Sequence, residues 1–83
     1  MLRIRSVTPL EGRRVRLVLT DGSERTVDLA PLLNGPVFDE IARDRRAFEA
    51  ISVDPSLGTV VWPNGADLDP DVLILGRAPA DVP

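Results

Sequence analysis

Groups able to do chemistry are densest at Trp62-Pro63-Asn64-Gly65-Ala66-Asp67-Leu68-Asp69-Pro70-Asp71, a stretch that holds the only Trp and three carboxylates. Asp67, Asp69 and Asp71 alternate like the opening of a calcium-binding loop, where acidic oxygens at every second position converge on a hard cation. Such a loop also needs Gly at its sixth position for a sharp turn and Glu at its twelfth as a bidentate ligand. Counted from Asp67, those positions hold Val72 and Ala78, and Pro70 stiffens the interior. The acids therefore read as caps and turn formers, and no metal site is expected.

Catalysis has little else to draw on. Asp39-Glu40 and Asp67-Asp69 are carboxylate pairs that could divide acid and base roles, but no nucleophile or oxyanion motif accompanies either. The chain has no His and no Cys. The usual neutral-pH proton shuttle, thiolate chemistry, disulfides and the commonest zinc ligands are thus all missing. A protein that is not an enzyme and has no cofactor is the expectation.

Two surfaces remain as binding candidates. If the first two strands pair in register, Arg3, Arg5, Arg14 and Arg16 could share one face beside Arg13 as a basic stripe for phosphates or an acidic partner. Nucleic-acid readers usually add a groove helix or an aromatic stacking platform, and neither is visible here; a solvated face with acids paired across strands explains the same residues. The second surface is the rim of the Trp62–Asp71 stretch, with Trp62, Asn64 and Asp67 as partner-binding candidates. Trp is enriched at interface hot spots, yet the lone Trp of a small domain also serves as core, and the sequence leaves both roles open. The net charge is -3, unevenly spread: residues 1–30 hold six Arg against four acids, residues 31–83 four Arg against nine acids.

The elements that must position these groups follow from patterning. Residues 2–7 roughly alternate, which suits a half-buried strand with Leu2 and Ile4 on one side, and Thr8-Pro9-Leu10-Glu11-Gly12 interrupts it. Val15, Leu17 and Leu19 face one way across residues 13–20, opposite Arg14, Arg16, Val18 and Thr20. Asp21-Gly22 predicts a tight hairpin, a turn in which both central positions can need φ above zero, and Val27 and Leu29 continue the apolar face. Pro31, Gly35 and Pro36 then force the chain out of the sheet. A helical turn at 31–34, a helix from Pro36 to Arg43 and a second after the Asp44 cap to Ala50 are expected. Residues 51–54 and 59–62 make a second hairpin. Asp69 and Pro70 start a last short helix as cap and first position.

With these residues in this order, the chain resembles the bacterial domain of unknown function DUF2442. The likeness covers about residues 3–75 and rests on Asp21-Gly22, Val27-Asp28-Leu29, Gly35-Pro36-Val37-Phe38, Phe48 and above all Trp62 through Asp71. Ile74 departs from it, where an aromatic residue would follow Leu73. The resemblance implies an α+β fold with an antiparallel sheet and no established activity. Some relatives carry an added helix-turn-helix domain, and others look like one half of a toxin and antitoxin gene pair.

The expectation is a single α+β domain over residues 1–76, its antiparallel sheet built from an N-terminal three-strand meander and a second hairpin, with two or three short helices packed against it. Residues 77–83 are expected to be a disordered tail. No charged leader with an apolar run follows Met1, and no stretch approaches the roughly 20 apolar residues that span a bilayer, so a cytoplasmic protein is expected. The expected function is noncatalytic protein binding, with the resemblance implying an antitoxin-like or regulatory member of a gene pair and an unknown, toxin-like neighbour as partner. The alternative is a nucleic-acid or phosphate ligand on the Arg face. A domain this small buries only about 60% of the surface its unfolded chain exposes, so a homodimer is also expected.

Overall fold

The computed structural model describes residues 2–75, and the tail expected to be disordered lies outside them. β1 (Ile4–Pro9), β2 (Arg14–Leu19) and β3 (Glu24–Asp28) form an antiparallel sheet in that order. A single 3-10 turn at Ala30–Leu32 leads to α1 (Pro36–Arg43) and α2 (Arg45–Glu49); β4 (Ser52–Asp54) and β5 (Thr59–Val61) form a separate two-stranded sheet, and α3 (Pro70–Leu75) follows. The fold is α+β, as expected. The Ile4 N–H donates to the Gly58 carbonyl at 3.0 Å, which ties the second hairpin to the outer side of β1.

Alternation in β2 places Val15, Leu17 and Leu19 in the core and leaves Arg14, Arg16 and Thr20 exposed. In β1 the phase is less simple. A bulge falls between Ile4 and Ser6, so that Ile4 pairs with Leu19 while Val7 pairs with Leu17. The extra residue, Arg5, keeps both Ile4 and Val7 on the core side although they are an odd number of positions apart. Leu2 is 38% exposed and does not share the burial of Ile4. The strand also runs through Pro9, past the expected break. Leu10 N–H bonds to Arg14 O at 2.8 Å, so the neighbouring Pro9–Val15 pair is a non-hydrogen-bonded one, where a missing N–H breaks no rung.

The helices are too short to persist alone and are held by their apolar faces. Ile41 and Phe48 are buried against the sheet, joined there by Trp62 and Leu73. Burial of each such side chain contributes about 1.5–3 kcal/mol. Two arginines close the layer. The guanidinium carbons of Arg13 and Arg45 each lie 5.1 Å from the Phe48 ring centroid. Arg13 also donates to the carbonyls of Ile41 (3.2 Å) and Ala42 (3.0 Å), which α1 leaves unpaired at its end, and Arg45 to those of Leu10 (2.8 Å) and Gly12. The loop between β1 and β2 is thereby fastened to both helices.

Much of the acid excess serves as punctuation. Asp21, Asp28, Asp44, Asp54 and Asp69 each accept a hydrogen bond from the backbone N–H two residues on. In Asp44 and Asp69 that bond caps α2 and α3, as their positions before the helices predict.

Candidate functional site

The Trp62–Asp71 stretch begins where β5 ends. Trp62 N–H bonds to Ala66 O at 2.9 Å and Gly65 N–H to Trp62 O at 3.0 Å, so Pro63, Asn64 and Gly65 form a three-residue loop. Gly65 has φ +90°, a region in which a side chain is strained. Asn64 works in two directions: its Oδ1 accepts from Ala66 N–H (3.0 Å) and its Nδ2 donates to Val37 O in α1 (3.0 Å). The returning chain pairs Asp67 with Val61 and Leu68 with Val60, and the Thr59 hydroxyl donates to Leu68 O. Asp69 then caps α3.

Trp62 is core. It is 3% exposed, its indole N–H donates to Phe48 O at 3.1 Å, and the Phe38 ring meets it edge-on at 5.9 Å. An interface anchor must present its ring to solvent, and this ring is already covered on the inside. Asn64 is exposed, but both ends of its amide are engaged. Only Asp67 of the three rim candidates is exposed with no side-chain partner among the described residues. The three are also divided between two shallow depressions. Trp62 and Asn64 line one of about 340 Å³ against α1 and α2, and Asp67 lines another of about 370 Å³ with Leu57 and Leu68.

The carboxylates do not assemble. Among the described residues no three groups converge to hold a metal ion. Asp69 is spent on its cap, and Asp67 and Asp71 are exposed on either side of it. Asp39 pairs with Arg43 at 3.2 Å along the exposed side of α1, with its neighbour Glu40 equally open to solvent.

The register separates the Arg candidates into two pairs. Arg14 and Arg16 stand on the outer face of β2, Arg16 opposite Thr8. Arg3 and Arg5 lie at the other end of β1: Arg3 pairs with Thr20 through the Thr20 N–H to Arg3 O bond (2.9 Å), and its guanidinium reaches Leu57 O at 3.2 Å. Acids interleave with the outer pair. Arg16 lies 3.9 Å from Glu24, and Arg14 stands opposite Asp28. Arg13, expected beside the stripe, is turned inward onto Phe48 instead. No sequence pattern announces that role, because its carbonyl partners are about thirty positions away.

A further surface emerges from the ladder itself. Leu19 N–H bonds to Ser23 O (2.8 Å) and Leu29 N–H to Arg13 O (2.9 Å), at the two ends of the β2–β3 register. In an antiparallel ladder this makes the odd-numbered residues of β3 the ones bonded to β2 and turns the backbone of Glu24, Thr26 and Asp28 outward. Among the described residues β3 pairs with no strand other than β2. The signal for this edge lies in the sequence: the last strand of a meander, followed at once by Pro31, Gly35 and Pro36, has one neighbour only.

An α+β domain whose turns are internally satisfied and whose β3 edge is open among the described residues is the class this architecture defines. The chain matches the family described as Protein of unknown function (DUF2442) over residues 4–79 and belongs to it. No curated protein and no solved structure matches the chain. Among the described residues no helix is long and apolar enough to cross a membrane.

Proposed function

We propose that this domain is a noncatalytic protein-binding module, the antitoxin-like or regulatory member of a bacterial gene pair, and that it occludes its partner by taking an extended segment along β3. The observation that supports the reading is the open edge: outward N–H and C=O groups at Glu24, Thr26 and Asp28 form a template for a further strand. The gene-pair role is drawn from the resemblance alone. The alternative, a nucleic-acid or phosphate ligand on the Arg face, finds less support, because the carboxylates of Glu24 and Asp28 interleave with Arg14 and Arg16. A homodimer would compete for the same edge, and light scattering across a dilution series reports its mass.

Co-purification from the native host tests the reading, with T26P as the diagnostic variant. Proline there removes an outward N–H and no rung to β2, so the fold should persist while strand addition is blocked. A specific protein retained by the wild type and lost with T26P is the expected result. Retention by T26P, or no specific protein retained while the neighbouring gene is expressed, would overturn it.

A further inference from the structure

The open edge carries a row of charge as well as backbone groups. Glu24, Thr26 and Asp28 present their side chains on the outer face, the two acids about 13 Å apart along the strand. β2 shows what this row accepts from its inner side: Arg14 lies opposite Asp28, Val15 opposite Val27 and Arg16 opposite Thr26. A strand added outside would meet the same side chains at one strand spacing, about 4.8 Å, with Arg14 and Arg16 a full strand further away. On the outer face the nearest charges to such a strand are therefore two carboxylates, with Arg25 on the opposite face of β3 between them. One Asp28 oxygen is held by the Ala30 N–H at 3.0 Å, which leaves the other for a partner.

We propose that the β3 edge selects an antiparallel peptide segment with a cationic side chain at each end of a five-residue stretch, opposite Asp28 and Glu24. Between them it takes an apolar residue opposite Val27, a Thr-like residue opposite Thr26 and an acid opposite Arg25. This rests on the edge being the partner surface and adds the chemistry of the partner. The same row discriminates against a second copy. Two β3 strands paired about Thr26 would set Glu24 opposite Asp28 on both sides of the axis, and like charges directly opposite one another destabilise a ladder. Guarding an edge with charge is one way in which soluble sheets avoid pairing with themselves.

The test uses the full chain and two synthetic peptides, Arg-Val-Thr-Glu-Arg and Glu-Val-Thr-Glu-Glu, which differ only at the two end positions, each flanked by Gly-Ser and read by fluorescence anisotropy at low ionic strength. A preference of about tenfold for the basic peptide is expected from two cross-strand charge pairs. In the double variant Glu24→Gln, Asp28→Asn, in which the amide oxygen still caps Ala30, that preference should collapse to within about twofold. T26P should abolish binding of both. Equal binding of the two peptides, no binding of either, a preference unchanged in the double variant, or a dimer mass that T26P dissociates would each overturn the proposal. The native partner separates this failure from that of the edge reading: loss with T26P but unchanged affinity in the double variant sinks only the charge selection, whereas retention by T26P sinks the edge.

Discussion

Leu19–Ser23 and Trp62–Ala66 are closed by the same pair of backbone bonds. In the first, Leu19 N–H meets Ser23 O at 2.8 Å and Gly22 N–H meets Leu19 O at 2.9 Å; the second has the corresponding bonds at 2.9 and 3.0 Å. Gly22 and Gly65 sit at φ +87° and +90°, and a side-chain oxygen of Asp21 or Asn64 accepts from the N–H two residues on. Both are the three-residue hairpin loop whose last residue takes a left-handed conformation. Asp21 itself has no positive φ, so the two-residue turn expected from Asp21-Gly22 is one residue longer and needs only its Gly. What differs is the donor. Asp has acceptors only and can satisfy only its own turn, whereas the Asn64 amide also reaches Val37 in α1. The first turn reverses a strand; the second also bonds across to a helix.

The strongest way to break this comparison is Trp62→Ala. Truncating a buried aromatic costs about 3–5 kcal/mol, set against a total of about 5–15 kcal/mol for a typical domain and less for one this small. Urea denaturation should show most of the cooperative transition lost at room temperature. Full native ellipticity with only partner binding lost would return Trp62 to a recognition role.

Substituting the two glycines asks whether the backbones are equivalent. Nothing lies within 4 Å of a Cβ built at either Gly22 or Gly65, so only the left-handed conformation opposes Ala. Each change should cost about 1–2 kcal/mol, and the two should agree within about 0.5 kcal/mol. A larger gap in urea midpoints would mean that the loops differ in more than their side-chain donors. Gly58 provides the contrast: at φ +68°, an added Cβ would also come within 2.8 Å of the Arg3 side chain, so Gly58→Ala should cost more than either.

Asn64→Asp then isolates the donor. The Asp variant keeps the acceptor for Ala66 N–H and loses the bond to Val37 O, so it should destabilise by about 1 kcal/mol. Asp21→Asn, the reciprocal exchange, should leave the urea midpoint near that of the wild type, because no carbonyl awaits a new donor there. Equal effects from the two exchanges would show that the link to α1 carries no stability.

Local chemistry made most of the fold legible. Pro36 and Pro70 at first helical positions, Asp44 and Asp69 as caps, and the alternation of Val15, Leu17 and Leu19 each act within a few residues, and each stands where its type predicts. Less was legible where a contact spans the chain. Arg13 and Arg45 look like ordinary surface charges until Phe48 and the carbonyls of the loop and α1 are brought beside them. Antiparallel register sets Arg3 and Arg5 at the Thr20 end of β1 and Arg14 and Arg16 at the end beside Thr8, so that a stripe of four arginines separates into two pairs. The acids of the Trp62–Asp71 stretch could be dismissed as a calcium loop from position alone, but only tertiary structure could show the indole turned inward onto Phe38.

The smallest expected effect lies in the titration of Asp21. The Ser23 hydroxyl donates to Oδ1 at 2.6 Å and the Ser23 N–H at 2.9 Å, and these bonds, the hydroxyl first, hold the carboxyl below its ordinary value of 3.8. In the unfolded chain both donors turn to water and the group returns to that value. Because the folded value is the lower one, the stabilisation is complete above 3.8 and is lost as pH falls from there through the folded value, below which both states are protonated. The carboxyl is fully exposed, so solvent screens the effect and its contribution is small. Asn64 has no proton to gain, and its turn should show no such window. Any advantage of the wild type over Asp21→Asn in urea should therefore narrow as pH falls below the ordinary value of 3.8, while the gap between Asn64→Ala and the wild type should not. Ser23→Ala should raise the Asp21 carboxyl toward its ordinary value in an NMR titration; a carboxyl that already titrates there in the wild type would remove the hydroxyl bond from the account and leave the turn to its backbone alone.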